Sequence, residues 1–352
     1  VETTEIHAAH CRVAAGSSTD LGDRVVECCE HEVFEHLDIV GVDCGWGNRD
    51  SAELERPRNG DLHCTTACLA FVFGGSCLLL GCHELLAHLL ELGGAPEVRK
   101  SGGKVRAVVG VPAEALRVNK QHVRQAMRGL VDGLIITSEP FAVAYGLDAL
   151  LHAMVVDVGA GTTDFCVMKG RYPTEEDQRT LVNAGDWVDD QLYTLLGERH
   201  PGMSVSIHTV RDWKESFGFI GKVPGKVKVK IPIAGVPSEI DITAEMKEAC
   251  ENLGPPVAEA MLDLIAGVES EYQERVRNNV ILAGGTSRLP GFGQYLEKAM
   301  DQFGGGKVRV VKDPVYAGAN GGLVLAQDAP KSDWEKLPGG PRSPAETPPP
   351  AS

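Results

Sequence analysis

The pattern of apolar and polar positions becomes regular from residue 104 onward, and it alternates strand signals with helix signals. KVRAVVGVP (104–112) is a short apolar run stopped by Pro112, followed by a helical pattern from Ala113 to Arg128 with Lys, Arg and Gln on one face. GLIITSEP (133–140) predicts a second strand, and Pro140 suits the first turn of a helix over 140–151. MVVDVGAGTTDFCVM (154–168) reads as strand, glycine turn, strand. A strand end, Gly185 and a helix with Asp186 in its first turn follow in 180–200, where an acidic residue complements the helix dipole.

Farther along, 210–220 predicts a helix and GKVKVKIPI (225–233) alternates as an exposed strand does. SEIDITAEM (238–246) adds a strand, with Thr243 as a helix N-cap. A long amphipathic helix over 244–268 is interrupted by GPP at 254–256. NNVILAGGTSRLPGF (278–292) is a buried strand running into a double glycine and a helix start, 307–311 is a strand, and 318–327 is a helix of small residues. The tail from Pro330 to Ser352, rich in proline and poor in apolar residues, predicts disorder. Alternating elements of this kind predict an α/β protein with two similar lobes.

Composition qualifies this picture at the N-terminus. The chain has 352 residues, 43% of them hydrophobic, and a formal net charge of −15. Its acidic balance argues against a nucleic-acid groove, which needs clustered Lys and Arg. No apolar stretch reaches the roughly 20 residues of a spanning helix, and no basic segment precedes a cleavage site, so a soluble cytoplasmic protein is expected, without membrane insertion. Eight of the ten cysteines lie in the first 82 residues, and no Lys or Met precedes Lys100. Residues 1–84 therefore read either as an atypical Cys-rich part of the first lobe or as an out-of-frame stretch. Cys64, Cys68, Cys77, Cys82 and His83 are only loosely spaced like zinc ligands, and unpaired thiols are the plainer reading.

Four features carry candidate chemistry. In VVDVGAGTTDF (155–165), Gly159, Ala160 and Gly161 let backbone N–H groups approach an anion, and Thr162 and Thr163 add hydroxyl donors. Asp157, at the strand end, would be repelled by phosphate and suits a divalent cation held through water. Glu139, in Ser138-Glu139-Pro140 at the end of the buried strand, is placed to orient or activate a water for attack on phosphate. Gly284 and Gly285, in LAGGTSRLPGF, follow a strand and precede a helix, which favours a base, a sugar or a phosphate. Lys214 and Glu215 offer a cation for phosphate or base and a carboxylate for ribose hydroxyls. Taken singly, each is also an ordinary glycine turn, helix N-terminus or solvated charge pair.

Their order is more specific. Strand-Glu-Pro, then D-x-G-x-G-T-T-D, then Lys-Glu, then G-G-T-S-R resembles the actin superfamily of ATPases over about residues 85–337. VVDVGAGTTDF resembles its second phosphate loop, SEPFAVAYGL its first connecting segment, VILAGGTSRLPGF its adenosine motif and VYAGANGGLVLA its second connecting segment. Within that superfamily, AVVGVPAEA (107–115), GERHPGM (197–203) and WKESFGFIG (213–221) resemble the magnetosome actins rather than other branches.

The resemblance implies an actin-like fold with a nucleotide cleft between two lobes. Residues 85–136 would complete the first lobe, 137–311 would form the second, and 312–329 would return to the first. It implies ATP and Mg²⁺ as cofactors, and ATP-driven self-assembly into cytoplasmic filaments that organise magnetosome chains with magnetosome-associated partners. Glu139 would be the hydrolytic glutamate, and Asp157 would stand at the metal and the attacking water. Gly159, Ala160, Gly161, Thr162 and Thr163 would wrap the phosphates. Gly284, Gly285, Thr286 and Arg288 would face the adenosine, with Gly185, Lys214 and Glu215 completing the nucleotide contacts.

The first phosphate loop departs from the family pattern. Its candidate is IVGVDCGWGN (39–48), with Asp43 as a further metal-site carboxylate, but Trp46 stands where a small or hydroxyl residue should meet phosphate. Two alternatives follow: an actin-fold structural or interaction protein with weak or no ATPase activity, and another cytoskeletal ATPase of the same superfamily.

Overall fold

In the computed structural model, the residues described are 37–40, 66–71, 83, 86–91, 93–115, 117–233 and 235–337, with backbone alone for the first two segments. Twelve strands occur among them: β1 (Leu37–Val40), β2 (Thr66–Phe71), β3 (Arg106–Val111), β4 (Gly133–Ser138), β5 (Leu151–Val158), β6 (Thr163–Lys169), β7 (Gln178–Leu181), β8 (Lys228–Ile233), β9 (Val236–Asp241), β10 (Val280–Ala283), β11 (Val308–Val310) and β12 (Glu335–Lys336). They form two five-stranded sheets, ordered β1-β2-β3-β4-β12 and β11-β10-β5-β6-β7, and a separate β8-β9 hairpin. All lie within one compact unit, His36–Ser352.

Each sheet has a parallel centre, and the sequence shows why. β3 is buried from Ala107 to Val111 and β10 over its whole length, the continuous apolar run of strands covered on both faces. β2, β3 and β4 run parallel, as do β5, β10 and β11. The C-terminal ends of β4 and β5 carry Ser138 and Asp157, where open α/β sheets present ligands. β1 is the edge strand and runs antiparallel to β2, with Val40 opposite Cys68 and Leu37 opposite Phe71, so its direction is opposite to that of β4, which ends on Ser138.

Each lobe has its own core. Val105, Val109, Met127 and Leu134 centre the first, and Met154, Phe165, Leu192, Met246, Leu264 and Phe292 the second. A third cluster seats the connecting helix Glu139–Gly146, through Phe141 and Val143, against Val155 and Ile281 of the second sheet. The helix Ala317–Asp328 packs on that connecting helix and on β2 and β3.

Several expectations shift. The helix expected over 113–128 spans Arg117–Ala126, because a turn follows Pro112. The helix expected over 140–151 is Glu139–Gly146; a turn with Asp148 at φ 51° ends it and β5 begins at Leu151. The interruption expected at GPP is present: the long helix divides at Gly254 into Thr243–Asn252 and Gly254–Ala266, with proline tolerated in the first turn of the second. Helices Ala95–Lys100 and Ser270–Arg277 were not anticipated.

The tail also needs correction. Instead of being disordered from residue 330, the chain returns to the first sheet as β12, antiparallel to β4. Trp334 is the reason: it is buried against Val108 and Ala326, with the Arg106 guanidinium 5.3 Å from its ring centroid. Arg124 pairs with Glu335 beside it, at 2.7 and 2.8 Å.

Candidate functional site

The phosphate-loop candidate is the tight connection between β5 and β6. Asp157 lies opposite Asp164 in the β5-β6 register and beside Ala283 of β10. The turn closes with the Gly159 N–H donating to the Thr162 carbonyl at 2.9 Å. Its far side rests on the helix Gly185–Arg199, whose Gly185 and Asp186 N–H groups donate to the carbonyls of Gly159 and Ala160 at 3.1 and 2.8 Å. The two threonine hydroxyls are already engaged. Thr162 donates to Asp164 Oδ2 at 2.7 Å, and Thr163, fully buried, donates to the Asn183 carbonyl at 2.7 Å.

Beside it stands the turn after β10. Gly284 has φ +82°, and a Cβ there would lie 2.3 Å from the Val158 carbonyl oxygen and 2.5 Å from Asp157 Oδ1. Only glycine lets the two loops approach this closely. Gly285 is different: the nearest atom to an added Cβ is a Val315 methyl at 3.9 Å, so the position is open. Thr286 stitches the loops together, its hydroxyl donating to the Gly159 carbonyl at 2.8 Å.

Charge lines one wall. Asp189 is fully buried and takes two cations from the helix Ile207–Phe217: Arg211 Nε at 3.0 Å and Lys214 Nζ at 2.8 Å. Arg211 also reaches Asp186 at 2.9 Å, and Lys214 donates to the Gly185 carbonyl at 2.9 Å. A buried charge is tolerated when it is paired, and Asp189 is paired on both oxygens, Oδ2 with a hydrogen bond from Arg211 and Oδ1 with the Lys214 ammonium.

These parts enclose one cavity of about 670 Å³. Glu139, itself buried, and Asp157 both border it. Gly159, Ala160 and Thr162 line one side, Gly284, Gly285 and Thr286 another. Arg288, Lys214 and Glu215 also face it, and Pro314, Val315 and Gly318 close the remaining side. The volume lies within the ~300–1,000 Å³ of small-molecule sites. Among the described residues no group of three or more His, Cys, Asp or Glu could hold a metal ion by itself.

The MreB/Mbl protein family matches residues 74–333. The chain belongs to this family. It is 39% identical over 234 residues to the actin-like protein MamK of Paramagnetospirillum magneticum, covering 66% of this chain and 67% of that protein. It is 37% identical over 254 residues to the MamK of Magnetospirillum gryphiswaldense, covering 72% and 71%. Among solved structures it is similar to a MamK double helical filament, with 36% identity, a TM-score of 0.68, and 73% of this chain and 78% of that one covered. It is also similar to a non-polymerising MamK mutant bound to AMPPNP, with 38% identity, a TM-score of 0.59 and coverage of 70% and 76%. The fold is thus actin-like, with mixed α/β sheets in both lobes.

For this MreB/Mbl-family chain, most of the residues singled out in the sequence border one cavity. Three do not. Gly161 and Thr163 are absent from its lining, and Gly185 sits behind the hairpin, where its carbonyl receives Lys214. Asp43 lies outside the described residues, as do Cys64, Cys77 and Cys82; Cys68 is described in backbone alone. The His83 ring is within hydrogen-bond distance of the Ala126 carbonyl, at 2.7 Å. The sequence reading missed Arg211, Asp186, Asp189 and Asp164. A signal existed for three of them: Asp186 and Asp189, like Arg211 and Lys214, are three apart, one helical turn on the same face.

Proposed function

We propose that this chain binds ATP with Mg²⁺ in the cleft and couples its hydrolysis to assembly of its own copies into cytoskeletal filaments. These filaments organise magnetosomes into chains, with magnetosome-associated proteins as partners. One observation carries the reading: Glu139, Asp157, the β5-β6 hairpin and the adjoining Gly284–Gly285 turn all border one nucleotide-sized cavity. The similarity to MamK, in filament form and bound to AMPPNP, supports it.

The residues present fit a nucleotide and its metal. Asp157, at the end of β5 and bordering the cavity, suits Mg²⁺ held through water, since this ion keeps several waters and takes its other ligands from phosphate. Bound there, Mg²⁺ would neutralise charge on the phosphate oxygens. Gly159, Ala160 and Thr162 line the phosphate side of the cavity, with the Gly159 N–H kept in the turn by the Thr162 carbonyl. Gly285, with its open side, admits the flat part of the nucleotide, and Arg288 and Glu215 lie at the rim. Glu139 orients a water. Lys214 acts through the loop, since its ammonium is held by Asp189 and the Gly185 carbonyl.

A second reading, an actin-fold structural protein with weak hydrolysis, is favoured by Trp46 in the first-loop candidate. Sedimentation separates the two. With ATP and Mg²⁺ the wild-type chain pellets as filaments and releases phosphate, and Glu139→Ala pellets but releases phosphate at least tenfold more slowly. Filaments without phosphate release from the wild type favour the second reading. A chain that stays in the supernatant at every concentration refutes filament function.

A further inference from the structure

Asp164 is a buried carboxylate to which the nucleotide reading gives no part. It is 1% exposed and lies directly across the hairpin from Asp157, where paired side chains share a face. Oδ1 accepts the Ala113 N–H at 2.6 Å and the Thr180 hydroxyl at 2.6 Å. Oδ2 accepts the Thr162 hydroxyl at 2.7 Å. These donors come from different parts of the fold. Ala113 follows β3 of the first sheet, Thr162 belongs to the phosphate hairpin, and Thr180 lies on β7 at the edge of the second sheet.

A second bridge runs beside the first. The Glu114 N–H donates to Thr180 Oγ1 at 3.0 Å, and the Thr180 N–H donates to Glu114 Oε2 at 3.0 Å. Thr180 is shared, because its hydroxyl accepts from Glu114 while giving its own proton to Asp164. An unbroken series of hydrogen bonds thus leads from the first lobe, through Thr180 and Asp164, to a residue that lines the cavity.

Bonds to a buried carboxylate are stronger than neutral ones, and leaving such a group short of donors is costly, so the series is stiff. Thr162 has only one hydroxyl proton. While Asp164 holds it, that oxygen can only accept; a phosphate oxygen in the cavity would compete for the same proton. Occupancy of the hairpin is therefore felt at Asp164, and through it at Ala113 and Thr180.

We infer that Asp164 is a positioning residue which, with Thr180, fixes the phosphate hairpin against the first lobe and couples nucleotide occupancy to the contact between lobes. This rests on the nucleotide reading of the same cavity. Burial pushes the Asp164 carboxyl above its ordinary value and the nearby Glu114 carboxylate adds to the rise, while the bonds from Thr180, Thr162 and Ala113 oppose it without cancelling it.

The test combines amide hydrogen exchange with single-turnover hydrolysis on the full chain and the variants Asp164→Ala, Thr180→Val and Thr180→Ser. The Ala113 and Glu114 amides are expected to exchange at least tenfold faster in Asp164→Ala and Thr180→Val than in the wild type. AMPPNP changes their exchange in the wild type but not in Asp164→Ala. Thr180→Val slows single-turnover hydrolysis at saturating ATP tenfold or more while ATP affinity changes less than threefold, and Thr180→Ser, which keeps the hydroxyl, returns to within twofold of wild type. Wild-type turnover in Thr180→Val, or a Thr180→Ser as slow as Thr180→Val, overturns the inference. So does wild-type binding of AMPPNP that leaves the Ala113 and Glu114 amides unchanged. A wild-type chain that does not bind AMPPNP overturns the nucleotide reading, and this role with it. If Asp164→Ala does not fold, Thr180→Val carries the test alone.

Discussion

Thr286 donates its hydroxyl to the Gly159 carbonyl at 2.8 Å, tying the turn after β10 to the β5-β6 hairpin. The two loops come from chain positions more than a hundred residues apart, and this bond fixes them to each other beside the cavity that both line. Thr286→Val keeps the shape and removes the donor. The expected cost is about 1 kcal/mol of stability, the net worth of one hydrogen bond, measured by denaturant unfolding. AMPPNP affinity should fall about threefold to tenfold. A Thr286→Val chain with wild-type stability and affinity removes this bond from the account.

Asp189 holds two cations at once, and its loss leaves the buried Lys214 short of its counter-charge while Arg211 keeps Asp186. Asp189→Ala is expected to cost about 3–5 kcal/mol, the range for breaking a buried ion pair by removing one partner. Unfolding in guanidinium reads this directly. Asp189→Ala together with Lys214→Met should recover part of the loss, because the stranded buried ammonium is gone. No recovery in the double variant means that Lys214 is not what Asp189 supports.

Asp177 gives a pH dependence with a definite sign. Its burial works against ionisation, but the Thr174 amide, Arg171, Lys169 and the Thr174 hydroxyl outweigh that and hold the carboxyl well below its ordinary value. For a carboxyl depressed in the folded state, the stabilisation is present above the unfolded value. It is lost as pH falls below the usual carboxylate range. Stability measured from pH 6 downward should therefore fall more steeply in the wild type than in Asp177→Asn. Parallel curves contradict the assignment.

The two-lobe α/β fold was legible because parallel strands buried on both faces print as apolar runs, as in VVDV and VILA, between helical stretches. The cavity was legible through Glu139, Asp157 and the two glycine turns, which the chain keeps in short contiguous motifs. What escaped was set by contacts between distant segments. Nothing local marks Asp164 as the acceptor of Ala113, 51 residues away. Nothing near Thr163 shows that its hydroxyl turns to Asn183, nor does a proline-rich tail announce that Trp334 will fill a gap over Val108. Gly284 and Gly285 look alike in the sequence, yet the structure makes one a packing glycine and the other an open position.

That last difference gives the most direct test of nucleotide binding in the cleft. Gly285→Leu adds a side chain where the nearest obstacle to its Cβ is 3.9 Å away, so the fold should tolerate it while the cavity fills. Calorimetric titration with AMPPNP and Mg²⁺ should give one saturable site per wild-type chain. In Gly285→Leu the affinity should fall on the order of 100-fold, with a thermal midpoint within about 2 °C of wild type. No saturable binding by the wild type, or equal binding by a folded Gly285→Leu, would contradict the account.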